Sequence, residues 1–282
     1  MIKEIDNDSY HADVSALSSS MLKALAKSPA HFQDLYLSDE EKPTPSQAMI
    51  RGSTIHTIIL EPSYFDDRYI VIPDGLDRRS KEGKALWQEL LNSGKQPMTK
   101  QDLQQAMAIA ESVLSHPISR EIFQLNGMAE QSIYWQDSKH GVMCKAKPDY
   151  MIAPCEQYPN GLIVDLKTTK DASSNAFCWS AKKLGYHISA AHYCAGFEAE
   201  FGTMPDFLFL AVESSRPYLS RYFQAAEHGF ISDGFELRDT LIETYIECQN
   251  TGEWYGYSEE IETLYLPENR PTEEEIEVSY VS

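Results

Sequence analysis

The hydropathy pattern divides the chain in two. Up to about residue 115 apolar side chains recur three and four positions apart, and beyond residue 130 they gather in short strand-like runs. Residues 16–27 read as a helix entered through serine caps and stopped by Ser28-Pro29. A shorter helix is predicted over 30–36, followed by a polar, proline-bearing loop at 39–46. Residues 46–60 place Met49, Ile55, Ile58 and Ile59 on a helix ended by Glu61-Pro62. Further helices are expected at 85–91 and 99–114, the second carrying Leu103, Met107, Ala110 and Leu114, with Pro117 just beyond.

The period then changes. Residues 131–136 and 142–152 read as neighbouring strands joined by a turn at 137–141. After a loop at 154–161, residues 162–166 form a short, nearly continuous apolar strand of the kind buried within a sheet. A helix at 187–201 ends on Gly202, strands follow at 207–213 and 220–224, and 230–248 is a long helix. This order predicts a mixed α/β fold, a central mixed β-sheet flanked by helices. One domain is expected over 1–267, mainly helical to 125 and built on the sheet over 126–257. Residues 268–282 read as an acidic, solvated tail.

Composition adds limits. With 42% hydrophobic residues the chain can bury a core, and no apolar run nears the roughly 18–20 residues needed to cross a bilayer. The first residues have neither a basic nor an apolar region, so no signal peptide is expected. The five cysteines, at 144, 155, 178, 194 and 248, form no CxxC pair. Free thiols in a reducing cytoplasm are the expectation, and a zinc site is not. The net charge of -19 argues at first against nucleic acid as a partner. Its distribution weakens that objection, because residues 233–282 carry 14 acidic residues against Arg238 and Arg270. A metal site also places carboxylates deliberately.

Two runs carry the chemistry, Lys147-Pro148-Asp149 and Asp165-Leu166-Lys167-Thr168-Thr169, each at the end of a strand-like segment. If the two strands are neighbours, Asp149 and Asp165 converge on one cation. The strand period of two puts Lys167 on the same face as Asp165. Leu166 faces the core and leaves its carbonyl as a further ligand. Two carboxylates and an ammonium are what metal-assisted phosphodiester hydrolysis requires. Mg²⁺ takes hard oxygen ligands and lowers the pKa of a bound water, and the lysine orients that water. A lone D-x-K is common, and the upstream Pro-Asp is what raises it above a solvated strand end.

Other residues have two readings each. His56, on the helix after Gly52, is either a metal or phosphate contact or an ordinary surface histidine. Tyr193 shares a helix face with Ser189 and is either core or site. Glu130 is an outer carboxylate or a solvated strand start. Arg78 and Arg79 lie in the most basic run, 78–84, and either hold DNA phosphates or are simply solvated.

Together, Gly52, His56, Lys147-Pro148-Asp149, Asp165-Leu166-Lys167-Thr168-Thr169 and Tyr193 resemble the PD-(D/E)XK nuclease superfamily, and within it the RecE-type exodeoxyribonuclease VIII nuclease domain of prophages. The likeness includes Tyr10-His11, residues 18–29, Leu60-Glu61-Pro62, Ser132-Ile133-Tyr134-Trp135, residues 197–202 and Glu253-Trp254. It implies a restriction-endonuclease-like core and a processive exonuclease that degrades one strand of duplex DNA 5′ to 3′ from an end with Mg²⁺, Mn²⁺ substituting. It also implies a toroidal homotetramer and a RecT-type single-strand annealing protein as partner. Asp149, Asp165, the Leu166 carbonyl and His56 are then the metal ligands, and Lys167 positions the water. Tyr193, Ser189, Thr168, Arg78 and Arg79 fall on the substrate side. One departure stands out: related nucleases carry Gln where this chain has Ser189. An endonuclease or a non-catalytic DNA-binding module are the rival readings.

Overall fold

A computed structural model describes residues 1–38, 46–261 and 263–264. The predicted loop at 39–46 falls almost wholly outside the described residues, and the acidic tail at 268–282 lies outside them entirely. The elements are β1 (Ile2–Lys3), α1 (Asn7–Ala12), α2 (Ser19–Lys27), α3 (Pro29–Tyr36), α4 (Gln47–Leu60), α5 (Phe65–Arg68), β2 (Tyr69–Val71), α6 (Lys81–Asn92), β3 (Gln96–Met98), α7 (Lys100–Ser115) and α8 (Pro117–Phe123). There follow β4 (Met128–Ala129), β5 (Ser132–Gln136), β6 (Met143–Ala146), β7 (Tyr150–Ile152), β8 (Leu162–Thr169), α9 (Ser174–Lys183), α10 (Tyr186–Phe201), β9 (Asp206–Glu213), β10 (Ser220–Gln224) and α11 (Ser232–Thr251).

The central sheet is mixed, in the order β10-β9-β8-β7-β4, with β8 and β9 parallel and the other pairs antiparallel. Alternation along β8 and β9 sorts their side chains between two cores. Leu162, Val164, Leu166, Leu208, Leu210 and Val212 pack against the α4–α7–α8 layer. Ile163, Phe207, Phe209 and Ala211 face α2, α9, α10 and α11. A second sheet, β1-β5-β6, lies beside α10, and β2 and β3 make a separate parallel pair. Among the described residues no helix is long and apolar enough to cross a membrane.

The predicted strand at 142–152 is two strands in two sheets. Its first part, β6, pairs with β5 as expected, but Pro148 cannot donate to a ladder and the chain turns there, so that β7 joins β8. Asp149 accordingly sits in a bend before a strand, and Asp165 lies within β8, which continues to Thr169 because its partner β9 runs to Glu213. Gly161 opens β8 with φ +84, and a Cβ there would stand 2.3 Å from the Phe197 ring, so this turn needs glycine on both counts. The hydropathy pattern does not predict α9, of which only Phe177 and Ala181 are buried.

A buried polar network ties α10 to β6 and α11. The Nε2 of His192 donates to the carbonyls of Leu17 and Lys145 at 3.1 and 3.0 Å, while its Nδ1 accepts from Arg238 Nε at 3.3 Å. Arg238 in turn pairs with Asp137 at 2.5 Å. Both imidazole nitrogens are thus satisfied in the neutral tautomer alone. Burial, with the Arg238 charge beside it, lowers the His192 pKa to about 3. The unfolded chain binds that proton near pH 6.5, so the stabilisation is complete above that pH and is lost as pH falls toward 3. Denaturant unfolding should therefore show stability dropping by a few kcal/mol between about pH 6.5 and 4. His192→Gln should be less stable at pH 7.5 but have a flatter profile across that window. Equal slopes for the two proteins would refute the assignment.

Candidate active site

The site forms where the sheet's two layers meet, at the bend between β6 and β7. Antiparallel pairing of β7 with β8 sets Tyr150 opposite Val164 and brings the bend residue Asp149 alongside β8. Its Oδ2 accepts the backbone N–H of Leu166 at 2.6 Å, which fixes the carboxylate across the strand. Asp165 and Lys167 share the face directed toward α2 and α10, and Lys167 Nζ lies 2.5 Å from Asp165 Oδ2. From the other layer, α4 supplies His56, whose Nδ1 is 3.6 Å from Asp149 Oδ1 and 3.8 Å from Glu130 Oε1. One ligand atom each from His56, Glu130 and Asp149 lies within 4.8 Å of the others.

Electrostatics set the state of each group. Asp165 is completely buried, and burial raises its pKa against the pull of Lys167. Burial disfavours the Lys167 ammonium, yet Asp165 and Asp149 outweigh it and hold the pKa well above the ordinary lysine value. His56 is likewise penalised by burial but raised overall by Asp149 and Glu130. Lys147 stands 3.9 Å from Glu130 and donates to the carbonyl of Ile5 at 3.2 Å and to Asn7 Oδ1, so the start of the chain closes this side. Burial lowers its pKa. The Tyr193 phenol is raised far above its usual value by burial and by Asp165 and Asp149, so it stays a neutral O–H beside the carboxylates.

The structure therefore brings together His56, Glu130, Asp149, Asp165, Lys167 and Tyr193. Thr168 sits at the α4 side, where a Cβ on Gly52 would meet its Oγ1 at 3.7 Å, an ordinary contact. Glu130, expected as an outer carboxylate, lies inside the candidate metal group, whereas Asp165 is turned toward Lys167 instead. Leu166 contributes its N–H to Asp149. Ser189 is buried on α10. Arg78 and Arg79 are not brought to the site: Arg78 stacks 3.5 Å from the Trp87 ring and Arg79 pairs with Asp77. Sequence reasoning misses Lys23 of α2, lowered in pKa by burial and by the neighbouring Lys167, and Tyr186, whose ring lies 5.4 Å from Lys167 Nζ. Their approach is purely tertiary. The only local signal is a lysine set among the buried residues of α2.

The sequence pattern of the PDDEXK-like domain of unknown function (DUF3799) matches residues 18–267. The chain belongs to this family. The PDDEXK-like domain also resembles the crystal structure of a "Putative exonuclease" from Eubacterium rectale, with a TM-score of 0.63, 15% identity and 88% of each chain covered. At that identity the likeness concerns the fold. A second structure, SSO0001, aligns with a TM-score of 0.32 and 13% identity over 68% of this chain and 85% of the other, too distant to argue from. No curated protein matches the chain. Family and site geometry together support a nuclease.

The donor set fits a divalent cation. Asp165 Oδ2 is met by Lys167 while its buried Oδ1 has no hydrogen-bond partner among the described residues, and hard oxygen donors from Glu130 and Asp149 stand beside an imidazole. A cation that binds the folded chain stabilises it by mass action, by about 2.7 kcal/mol at a hundred times its Kd. Adding Mg²⁺ or Mn²⁺ should accordingly raise Tm and give a saturable calorimetric signal. Asp149→Asn and Asp165→Asn should each lose both responses. A wild type that shows neither would remove the metal from this site.

Proposed function

We propose that this PDDEXK-like domain is a metal-dependent deoxyribonuclease that degrades duplex DNA from its ends, 5′ to 3′. The observation that carries this reading is the pairing of the buried Asp165 with the half-buried Lys167 on one strand face, beside Asp149. A folded protein tolerates a carboxylate with an unmet oxygen mainly at a site where function needs it. Asp149, Glu130 and His56 would hold Mg²⁺, with Mn²⁺ as a substitute, and the unpartnered Oδ1 of Asp165 would be the further oxygen donor. That ion supplies neutralisation of phosphate charge and a more acidic water.

The chain's own groups complete the arrangement. Lys167, held cationic by Asp165 and Asp149, acts as a donor that orients the attacking water and faces the charge developing on the phosphate. The neutral Tyr193 hydroxyl offers a hydrogen-bond donor to a phosphate oxygen. His56, favoured in its charged form by Asp149 and Glu130, would act as a ligand only in its neutral form. Attack from the ends rather than within the duplex is supported by the RecE-type motifs and by the description given to the Eubacterium rectale protein.

On the same reading the product is a 3′ single-stranded tail for recombination by annealing, handed to a RecT-type protein. The enzyme would act as a toroidal homotetramer in the cytoplasm, where five unpaired thiols are at home. Encirclement would let a protein of charge -19 keep hold of duplex DNA with only its channel lining basic.

Digestion of end-labelled linear duplex with Mg²⁺ tests the proposal. Nucleotides should be released from the 5′ label first, and closed circular DNA should survive. Lys167→Ala should cut about 10²–10³-fold more slowly while still binding DNA. Equal survival of DNA with wild type and variant would end the enzyme reading, and loss of circular DNA would make it an endonuclease.

A further inference from the structure

On the sheet face that carries Asp165, an aromatic cavity lies near the site. Parallel pairing sets Asp165 beside Phe209, and antiparallel pairing sets Phe209 beside Phe223, so all three side chains emerge on one face. Beyond them lies an open cavity of about 540 Å³ walled by Phe177, Phe209, Phe223 and Phe230, with His187, Lys182 and Asp233 at its polar margin. Tyr186 links the cavity wall to the reacting groups. It stacks on Phe209 at 5.7 Å and 26°, meets Phe177 at 6.1 Å, and its ring centroid lies 5.4 Å from Lys167 Nζ.

The cavity's own charged lining is Lys182 and Asp233, but the chain segment that leads to it runs against the charge of the molecule. Between residues 167 and 184 there are four lysines, at 167, 170, 182 and 183, against Asp171 alone, in a chain of net charge -19. Helix α9 crosses this stretch and turns Lys182, Lys183 and Trp179 outward, Trp179 being 71% exposed. An aromatic pocket with Lys182 at its edge, near a phosphodiester site and beside the exposed lysines of α9, has the two features that hold unpaired nucleic acid, stacking surfaces and backbone cations.

We infer that this cavity receives an unpaired nucleobase from the strand whose phosphate lies at Lys167, with α9 holding the adjoining phosphates. The inference rests on the nuclease reading for its choice of ligand. The half-buried Phe223 and Phe230 supply aromatic surface on which any base can stack, over the buried Phe177 and Phe209, so the pocket is tolerant of sequence. Its consequence is fraying: a base lodged there is no longer paired, and the duplex end opens before the bond is cut.

The test uses the full-length protein and an oligonucleotide carrying 2-aminopurine at or next to its 5′ end, without metal so that nothing is cleaved. Binding should quench the fluorophore. Phe223→Ala and Phe230→Ala, both at half-buried positions, should remove the quenching and weaken affinity about tenfold each. As a control independent of folding, the wild type is also given an oligonucleotide with an abasic site at the same position, which should bind about tenfold more weakly than its normal counterpart. Unquenched 2-aminopurine with wild type, or equal affinity for abasic and normal strands, overturns the pocket. If those signals hold while wild type with Mg²⁺ leaves linear duplex intact, base binding stands and the nuclease reading falls. If duplex is consumed while abasic and normal strands bind alike, the reverse is true.

Discussion

Keeping the Asp165 carboxylate inside the protein is the constraint around which the rest is arranged. A charged group removed from water costs several kcal/mol unless partners replace its hydration. Here the replacement is incomplete, a single ammonium from Lys167 against two buried oxygens. The strand that bears it must therefore be stabilised by other means, and β8 is. Leu162, Ile163, Val164 and Leu166 are apolar and buried between two helical layers, and the strand is paired over eight residues with β9. The surrounding order offsets one expensive side chain, and that side chain is then free to engage something the folded chain alone does not provide.

The second carboxylate is handled differently. Asp149 is not embedded in a strand but placed in the bend where one strand leaves its sheet and the next enters another. Pro148 enforces that departure, and the Leu166 amide catches one oxygen of the aspartate. The other oxygen is left to face His56 and Glu130. Structural and chemical tasks are divided between the two atoms of one group. Far from this centre, the His192–Arg238–Asp137 chain shows the opposite policy, with each polar atom of the imidazole satisfied and no role left over.

Much of this is legible in the residues. The helix predicted from 187 begins one residue earlier and ends on the expected Gly202, whose left-handed φ of +77 only glycine adopts readily. The alternation of Asp165 and Lys167 places both on one face, as the period of two requires. The split of 142–152 was also written in the chain, since a proline within a strand-like run argues against a continuous central strand. Other features were beyond reach. Helix α9 buries too few apolar side chains to show a period, and Lys23 and Tyr186 reach the site only through packing of elements distant in sequence. Arg78 and Arg79 form a basic run, but α6 takes the first against Trp87 and leaves the other in solvent.

The parity of β8 has an evolutionary corollary. Because odd positions face α10 and even positions face α4, adding or deleting one residue after Ile163 would carry the acid and the amine into an oily layer and push leucine among the polar groups. Length variation in descendants of this gene is thereby steered away from the strand and into the connections on either side, at 153–161 and 170–173. Within β8 itself, change can proceed by substitution only.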